Sequence, residues 1–241
     1  MATSTIEYEA DGIEMVGHLS RPDGDAATAR PAVLVCHEGP GMSDHARSKA
    51  DRLAALGYIA FALDYHGGGQ ALTDFGEMMA LIGAWLGDPT QTRLRGRAGL
   101  DVLLAQPGVD PARVAAIGYC FGGTMALELA RSGAPLKAVA GFHSGLGTAR
   151  PQDAAAITGV VLVCIGADDP MIPGAQRLAF EDEMRAGNVD WRINVYGGAK
   201  HSFTNELADG VTMPGIEYHR PTDERSWRAM VDMFDETLGP I

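Results

Sequence analysis

The chain has 241 residues, 46% of them hydrophobic, 21% charged and 7% aromatic, enough apolar material for a sizeable core and unlike disordered or fibrous chains. Lys and Arg number 19 against 31 for Asp and Glu, and the resulting net charge of -12 opposes phosphate backbones and anionic lipid, so neither nucleic acid nor a membrane is expected as a partner. MATSTIEYEA carries no basic or apolar leader, no apolar run reaches the roughly 18 residues of a membrane span, and the three cysteines form no disulfide pattern; a soluble cytoplasmic chain is expected.

In chain order, TIEYEADGIEMVGHLSRP alternates around Asp11-Gly12 and predicts a hairpin at one sheet edge. PDGDAATARP, Pro22 to Pro31, is a turn-rich connection. Strand and helix periods then alternate: PAVLVCHE, HARSKADRLAALG, YIAFALDYHG, and two helical stretches between Ala71 and Gln106. The series continues with ARVAAIGYC, FGGTMALELARSG, LKAVAGFHSG, GVVLVCIGADD, AQRLAFEDEMRAG, WRINVYGG and PTDERSWRAMVDMFDETL. AVLVC and VVLVCIG are apolar at every position, as strands are when helices cover both faces of a mostly parallel sheet. No linker, repeat or charge block interrupts the pattern, so residues 1–241 read as one α/β domain.

Cys120 lies between a buried strand and a helix, within Gly118-Tyr-Cys-Phe-Gly122-Gly123. A nucleophile on a strand-to-helix turn needs small residues two places before and after it, because the two backbones converge there. The following helix would direct its first amides at the sulfur and offer the Phe121 N–H to an oxyanion. Cys36 and Cys164, inside apolar strands, are expected to act as small hydrophobes.

A cysteine nucleophile needs a base, and the base an orienting carboxylate. Downstream, one strand runs out into Ala167-Asp168-Asp169-Pro170 and another into Ala199-Lys200-His201-Ser202. Parallel strands share a carboxyl edge, so Cys120, Asp169 and His201 are expected to meet, Asp169 being preferred to Asp168 by the G-x-x-D-x-x-x-P spacing from Gly166 to Pro173.

Four motifs, CHEGPG at Cys36 to Gly41, GYCFGG at Gly118 to Gly123, GADDPMIP at Gly166 to Pro173 and GGAKHSF at Gly197 to Phe203, together resemble the dienelactone hydrolase family over essentially the whole chain. The resemblance implies an α/β-hydrolase fold and hydrolysis of a small ester or lactone. It implies that Glu38 contacts the resting thiol and is displaced by substrate. It also implies an oxyanion hole made by amides near Glu38, such as that of Gly39, and by the amide of Phe121. Family members that cleave dienelactone hold the substrate carboxylate with arginines, one of them four residues after the catalytic histidine; here that position is Asn205, a substrate-binding candidate without charge. Arg93, Arg95 and Arg97 read as solvated, and Arg220 would need the 205–222 loop to fold inward to replace the missing charge. The segment between strands after the elbow is too short for a large cap domain, and no metal or nucleotide motif appears, so no cofactor is expected. Thiol redox chemistry at Cys120 and a non-catalytic binding role on the same fold are the alternatives. The first lacks a resolving cysteine nearby, and the second would leave a complete triad unused.

Overall fold

The computed structural model describes residues 1–25, 28–211 and 213–241. The expected connection over Pro22–Pro31 and the 205–222 loop each contain positions outside the described residues, 26 and 27 in the first and 212 in the second.

The chain opens with strands β1 (Ala2–Ala10) and β2 (Ile13–Arg21), paired antiparallel around Asp11 and Gly12, which take φ of 57° and 71° as a tight hairpin requires. Next come β3 (Arg30–Cys36), helix α1 (Asp44–Ala55) and β4 (Ile59–Leu63). The helical region expected from Ala71 to Gln106 is two helices, α2 (Phe75–Gly87) and α3 (Thr90–Leu104). Asp74 starts α2 by accepting the Glu77 N–H at 2.8 Å, and Asp88-Pro89 separates the pair. Then follow β5 (Val109–Tyr119), α4 (Phe121–Arg131), β6 (Ala138–Phe142), a short 3-10 turn at Pro151–Ala156, β7 (Val160–Gly166), α5 (Gly174–Ala186), β8 (Trp191–Tyr196) and α6 (Arg220–Leu238).

The strands form one eight-stranded sheet in the order β1-β2-β4-β3-β5-β6-β7-β8, with β1 and β2 antiparallel and the others parallel. On one face Val33, Val35, Ala60 and Ile117 pack against Ala46, Ala50 and Leu53 of α1 and Trp227, Met230 and Phe234 of α6. On the other, Leu34, Phe61 and Ala116 pack against α3, α4 and α5 through Leu100, Met125, Leu129 and Phe180. Burial on both faces is why the central strands are apolar throughout. Helix α4 is itself wholly buried; its Arg131 guanidinium is neutralised by Glu128 and Glu183 and also donates to the Leu146 carbonyl.

This is the expected α/β-hydrolase fold, helices on both faces of a mostly parallel sheet. The carboxyl ends of β3, β5, β6, β7 and β8 lead directly into Glu38, Cys120, His143, Asp169 and His201. None of the described helices is long and apolar enough to cross a membrane.

Candidate active site

Cys120 occupies the turn between β5 and α4 at φ 54° and ψ -122°, a sparsely populated conformation for a residue with a side chain. The glycines around it are required by space. A Cβ on Gly118 would lie 2.1 Å from the Gly122 carbonyl oxygen, and one on Gly122 would lie 2.1 Å from that of His37. The Cys120 N–H is shared between the Phe142 carbonyl at 3.0 Å and His143 Nδ1 at 3.2 Å. Among the described residues the amides of Phe121 and Gly39 donate to no acceptor, so both are available to an oxyanion. The Phe121 ring points away from the pocket, against Tyr65 and Trp85.

His201 and Asp169 are both buried, with His201 Nδ1 2.8 Å from Asp169 Oδ2. Asp169 Oδ1 also accepts the Met171 N–H at 2.8 Å, which fixes the carboxylate. Asp168 is exposed, its N–H donating to the Ala199 carbonyl, and it does not reach the imidazole. Because Nδ1 serves the carboxylate, the opposite nitrogen, Nε2, is left buried without a hydrogen-bond partner, with the Cys120 sulfur close enough to act on the charge of the ring. Burial opposes charge on this imidazole, yet the Cys120 sulfur and the Asp169 carboxylate together raise it to about 10, which favours an imidazolium beside the sulfur.

Glu38 is only 7% exposed. Its Oε1 accepts from Ser202 Oγ at 3.2 Å and its Oε2 from Asn205 Nδ2 at 2.6 Å. Asn205 therefore lines the pocket while its amide is committed to Glu38, its own oxygen accepting the Leu207 N–H at 3.1 Å. The loop after β3 is braced from behind: the Tyr65 hydroxyl donates to the carbonyls of His37 and Glu38, and His66 Nε2 donates to that of Gly39 at 2.7 Å.

These groups open into a pocket of about 410 Å³. Glu38, Gly39, Cys120, His201, Ser202 and Asn205 form its polar floor. Its walls are mostly apolar, formed by Phe75, Met78, Met79 and Ile82 of α2, by Met171, and by Leu207, Met213 and Ile216 of the loop after His201, with Asp209 of that loop also lining them. That loop does close one side of the site, and backbone bonds from His201 N to the Gly215 carbonyl and from Glu217 N to the His201 carbonyl tie it to the histidine.

Among the described residues neither Lys nor Arg lines the pocket. The reading of three solvated arginines holds only for Arg97. Arg93 pairs with Glu128 and Asp153, and buried Arg95 donates to the Tyr65 carbonyl at 2.6 Å. The loop carries Arg220 outward to the first turn of α6, where its exposed side chain pairs with Glu224. A more open hollow of about 490 Å³, lined by Leu56, Tyr58, Val231, Asp235, Pro240 and Ile241, shares no residue with the site.

Sequence reasoning missed Ser202, the α2 wall and the histidines behind the floor. Only His143 had a signal, since like Cys120 it directly follows a parallel strand.

The tight strand-to-helix turn at Cys120, the Asp169–His201 pair and the mostly parallel sheet fit the α/β-hydrolase class. The model of the dienelactone hydrolase family matches residues 15–238; the chain belongs to this family and so to the carboxylic ester hydrolases. It is 29% identical over 252 residues to a Synechocystis protein named as a carboxymethylenebutenolidase, an alignment covering 98% of this chain and 97% of the relative. The m3DLH structure superposes with a TM-score of 0.94 at 45% identity, covering 98% of both chains. A dienelactone hydrolase-like promiscuous phosphotriesterase from metagenomic libraries superposes with a TM-score of 0.92 at 42% identity, again over 98% of both.

Proposed function

We propose that this chain hydrolyses small neutral esters or lactones through a Cys120–His201–Asp169 triad and a thioacyl-enzyme. The observation that carries the reading is the Asp169–His201 bond of 2.8 Å, which leaves Nε2 buried and unpaired beside a cysteine at the head of a buried helix. The Cys120 thiolate attacks the acyl carbon, and the oxygen takes up negative charge against the amides of Phe121 and Gly39. The bond to the leaving oxygen breaks, His201 supplies its proton, and an alcohol departs. His201 then accepts a proton from water as the water attacks the thioester, releasing the acid and restoring the thiolate. Glu38 tied to Ser202 and Asn205 supports a sulfur that is free to attack without an anionic substrate to displace the carboxylate. The mostly apolar walls and the lack of a lining cation among the described residues support a neutral substrate.

Neutral phosphate triesters are a second substrate class, supported by the 42% identical phosphotriesterase neighbour and by the same mostly apolar walls without a described lining cation. Acid-quenched mass spectrometry after mixing with an aryl ester tests the mechanism. The expected result is one acyl mass on the peptide carrying Cys120 and none in Cys120→Ala. Full turnover by Cys120→Ala would overturn it.

A further inference from the structure

The loop after β3 has its carbonyls pinned and one amide left over. The carbonyl of Gly39 accepts from His66 Nε2 at 2.7 Å and that of Pro40 from the Leu72 N–H at 2.6 Å. The Tyr65 hydroxyl shares its one proton between the carbonyls of His37 at 2.8 Å and Glu38 at 3.0 Å. The Glu38 carbonyl accepts two further donors, His37 Nδ1 at 2.7 Å and the Gly41 N–H at 3.1 Å. Roles at His37 are fixed from both sides. A carbonyl can only accept, so Nδ1 carries the proton, and the Tyr65 N–H can only donate, so Nε2 accepts it at 3.4 Å. Asp64 Oδ1 lies 4.0 Å from Nε2, beyond a hydrogen bond, and its carboxylate is already taken by the N–H groups of Val16, His66, Gly67 and Gly69. The His37 ring is fully buried and stacked 3.5 Å from that of Tyr65. Burial, with His66 beside it, pushes this imidazole well below its ordinary pKa and keeps it in the neutral form that the pattern needs.

One peptide contains both the triply held Glu38 carbonyl and the Gly39 N–H, which has no acceptor among the described residues. It is trans, so the N–H points opposite to the carbonyl, away from His37 and Tyr65, and Glu38 and Gly39 both line the pocket. We propose that His37, with Tyr65, is a positioning residue for the oxyanion hole: it grips the Glu38 carbonyl and so holds the Gly39 N–H toward the oxygen that gains charge when Cys120 attacks, resting on the roles proposed above for Cys120 and the two amides. An oxyanion donor stabilises most when it is already in place, because a peptide that has to turn during the reaction forfeits part of the gain. The Phe121 amide needs no such clamp, since it opens helix α4.

His37→Leu removes the Nδ1 donor, His37→Asn returns a side-chain N–H to the same side, and Tyr65→Phe removes one hydroxyl while keeping the ring that stacks on His37. His37→Leu should lower kcat for a neutral aryl ester about tenfold with KM little changed, part of the roughly 10²–10³ lost when an oxyanion donor is removed outright. It should weaken inhibition by a trifluoromethyl ketone, whose cysteine adduct carries the same oxyanion, by about the same factor. His37→Asn should recover most of both. Alkylation of Cys120 by iodoacetamide places no charge on a carbonyl oxygen, so its rate should stay within about twofold of native in every variant. Cys36 and Cys164 are buried and do not compete for the reagent. If His37→Leu does not fold, as followed by thermal melting, Tyr65→Phe should show the same pattern at about threefold, since His37 and Gly41 still hold the Glu38 carbonyl. Native kcat in both variants, alkylation falling in step with kcat, or asparagine no better than leucine would overturn the proposal. Turnover surviving in Cys120→Ala would overturn the nucleophile assignment and the proposal with it; with that variant inactive, the His37 and Tyr65 results judge the positioning role alone.

Discussion

The floor of the pocket and its walls are built by opposite means. On the floor, Asp169, His201 and Glu38 are buried at strand ends and hydrogen-bonded, and Cys120 is held in a strained turn braced by α4 and β6. On the walls, Phe75, Met79, Met171, Leu207 and Met213 are between 37% and 87% exposed and touch the site through flexible apolar side chains. The floor can tolerate little displacement, because proton transfer and attack require fixed geometry. The walls can tolerate a great deal, since methionines repack around different shapes at low cost. The fold thus separates a rigid chemical step from an adaptable choice of substrate.

Changes on the floor should therefore collapse turnover, and changes on the walls should only redistribute it. Cys120→Ala carries the largest expected effect, loss of ester turnover by about a thousandfold or more, while Cys36→Ala and Cys164→Ala cost roughly 1 kcal/mol or more of stability and spare activity. Steady-state kinetics and denaturant melts on the three variants decide this. Asp169→Asn should lower kcat by about a thousandfold or more through loss of the orienting carboxylate, and Asp168→Asn by less than about threefold. A reversal of that order would move the triad register by one residue.

At the boundary between floor and wall, Asn205 is proposed to set the charge preference. A neutral aryl ester should outperform its carboxylate-bearing analogue in kcat/KM by about tenfold, and Asn205→Arg should narrow the gap, since a guanidinium can pair with the substrate carboxylate. Preference for the anionic analogue in the native protein would break the link between Asn205 and specificity.

The floor also predicts a pH signature in stability. His201 binds its proton more tightly folded than unfolded, so its contribution is complete below about pH 6.5 and is lost as pH rises toward about 10. The melting temperature of Asp169→Asn should accordingly fall below that of the native protein by a few degrees near pH 6, and the difference should shrink by pH 10. An equal gap at both values would remove the ion pair from the account. The smallest effect belongs to the wall: Met79→Ala should change KM for bulky esters by about two- to fivefold and leave kcat for small ones nearly unchanged.

The same division decides what the sequence discloses. β3 and β7 are legible because burial on both faces makes every position apolar, and the elbow is legible because Gly118 and Gly122 have no room for a Cβ. Asp169 could be chosen over Asp168 because both neighbours of the motif, Gly166 and Pro173, mark the turn. The histidines behind the floor were not legible, since His45 and Thr204 are 159 positions apart and nothing local in either predicts their contact. Arg95 was misread for the same reason: a charged residue on a helix looks solvated until its carbonyl partner, contributed by the loop after β4, is known. α2 gave no sign that its face would line a pocket, because apolar helical spacing serves a core equally well.

The left-handed backbone at Cys120 has a thermodynamic side. A residue with a Cβ held at φ 54° and ψ -122° costs the folded state on the order of 1–3 kcal/mol, a penalty that glycine does not incur. Cys120→Gly should therefore melt above Cys120→Ala, although the proposed mechanism expects both to be inactive. The most stable version of this fold is then one without the proposed nucleophile, so stability and the proposed chemistry pull in opposite directions at this position.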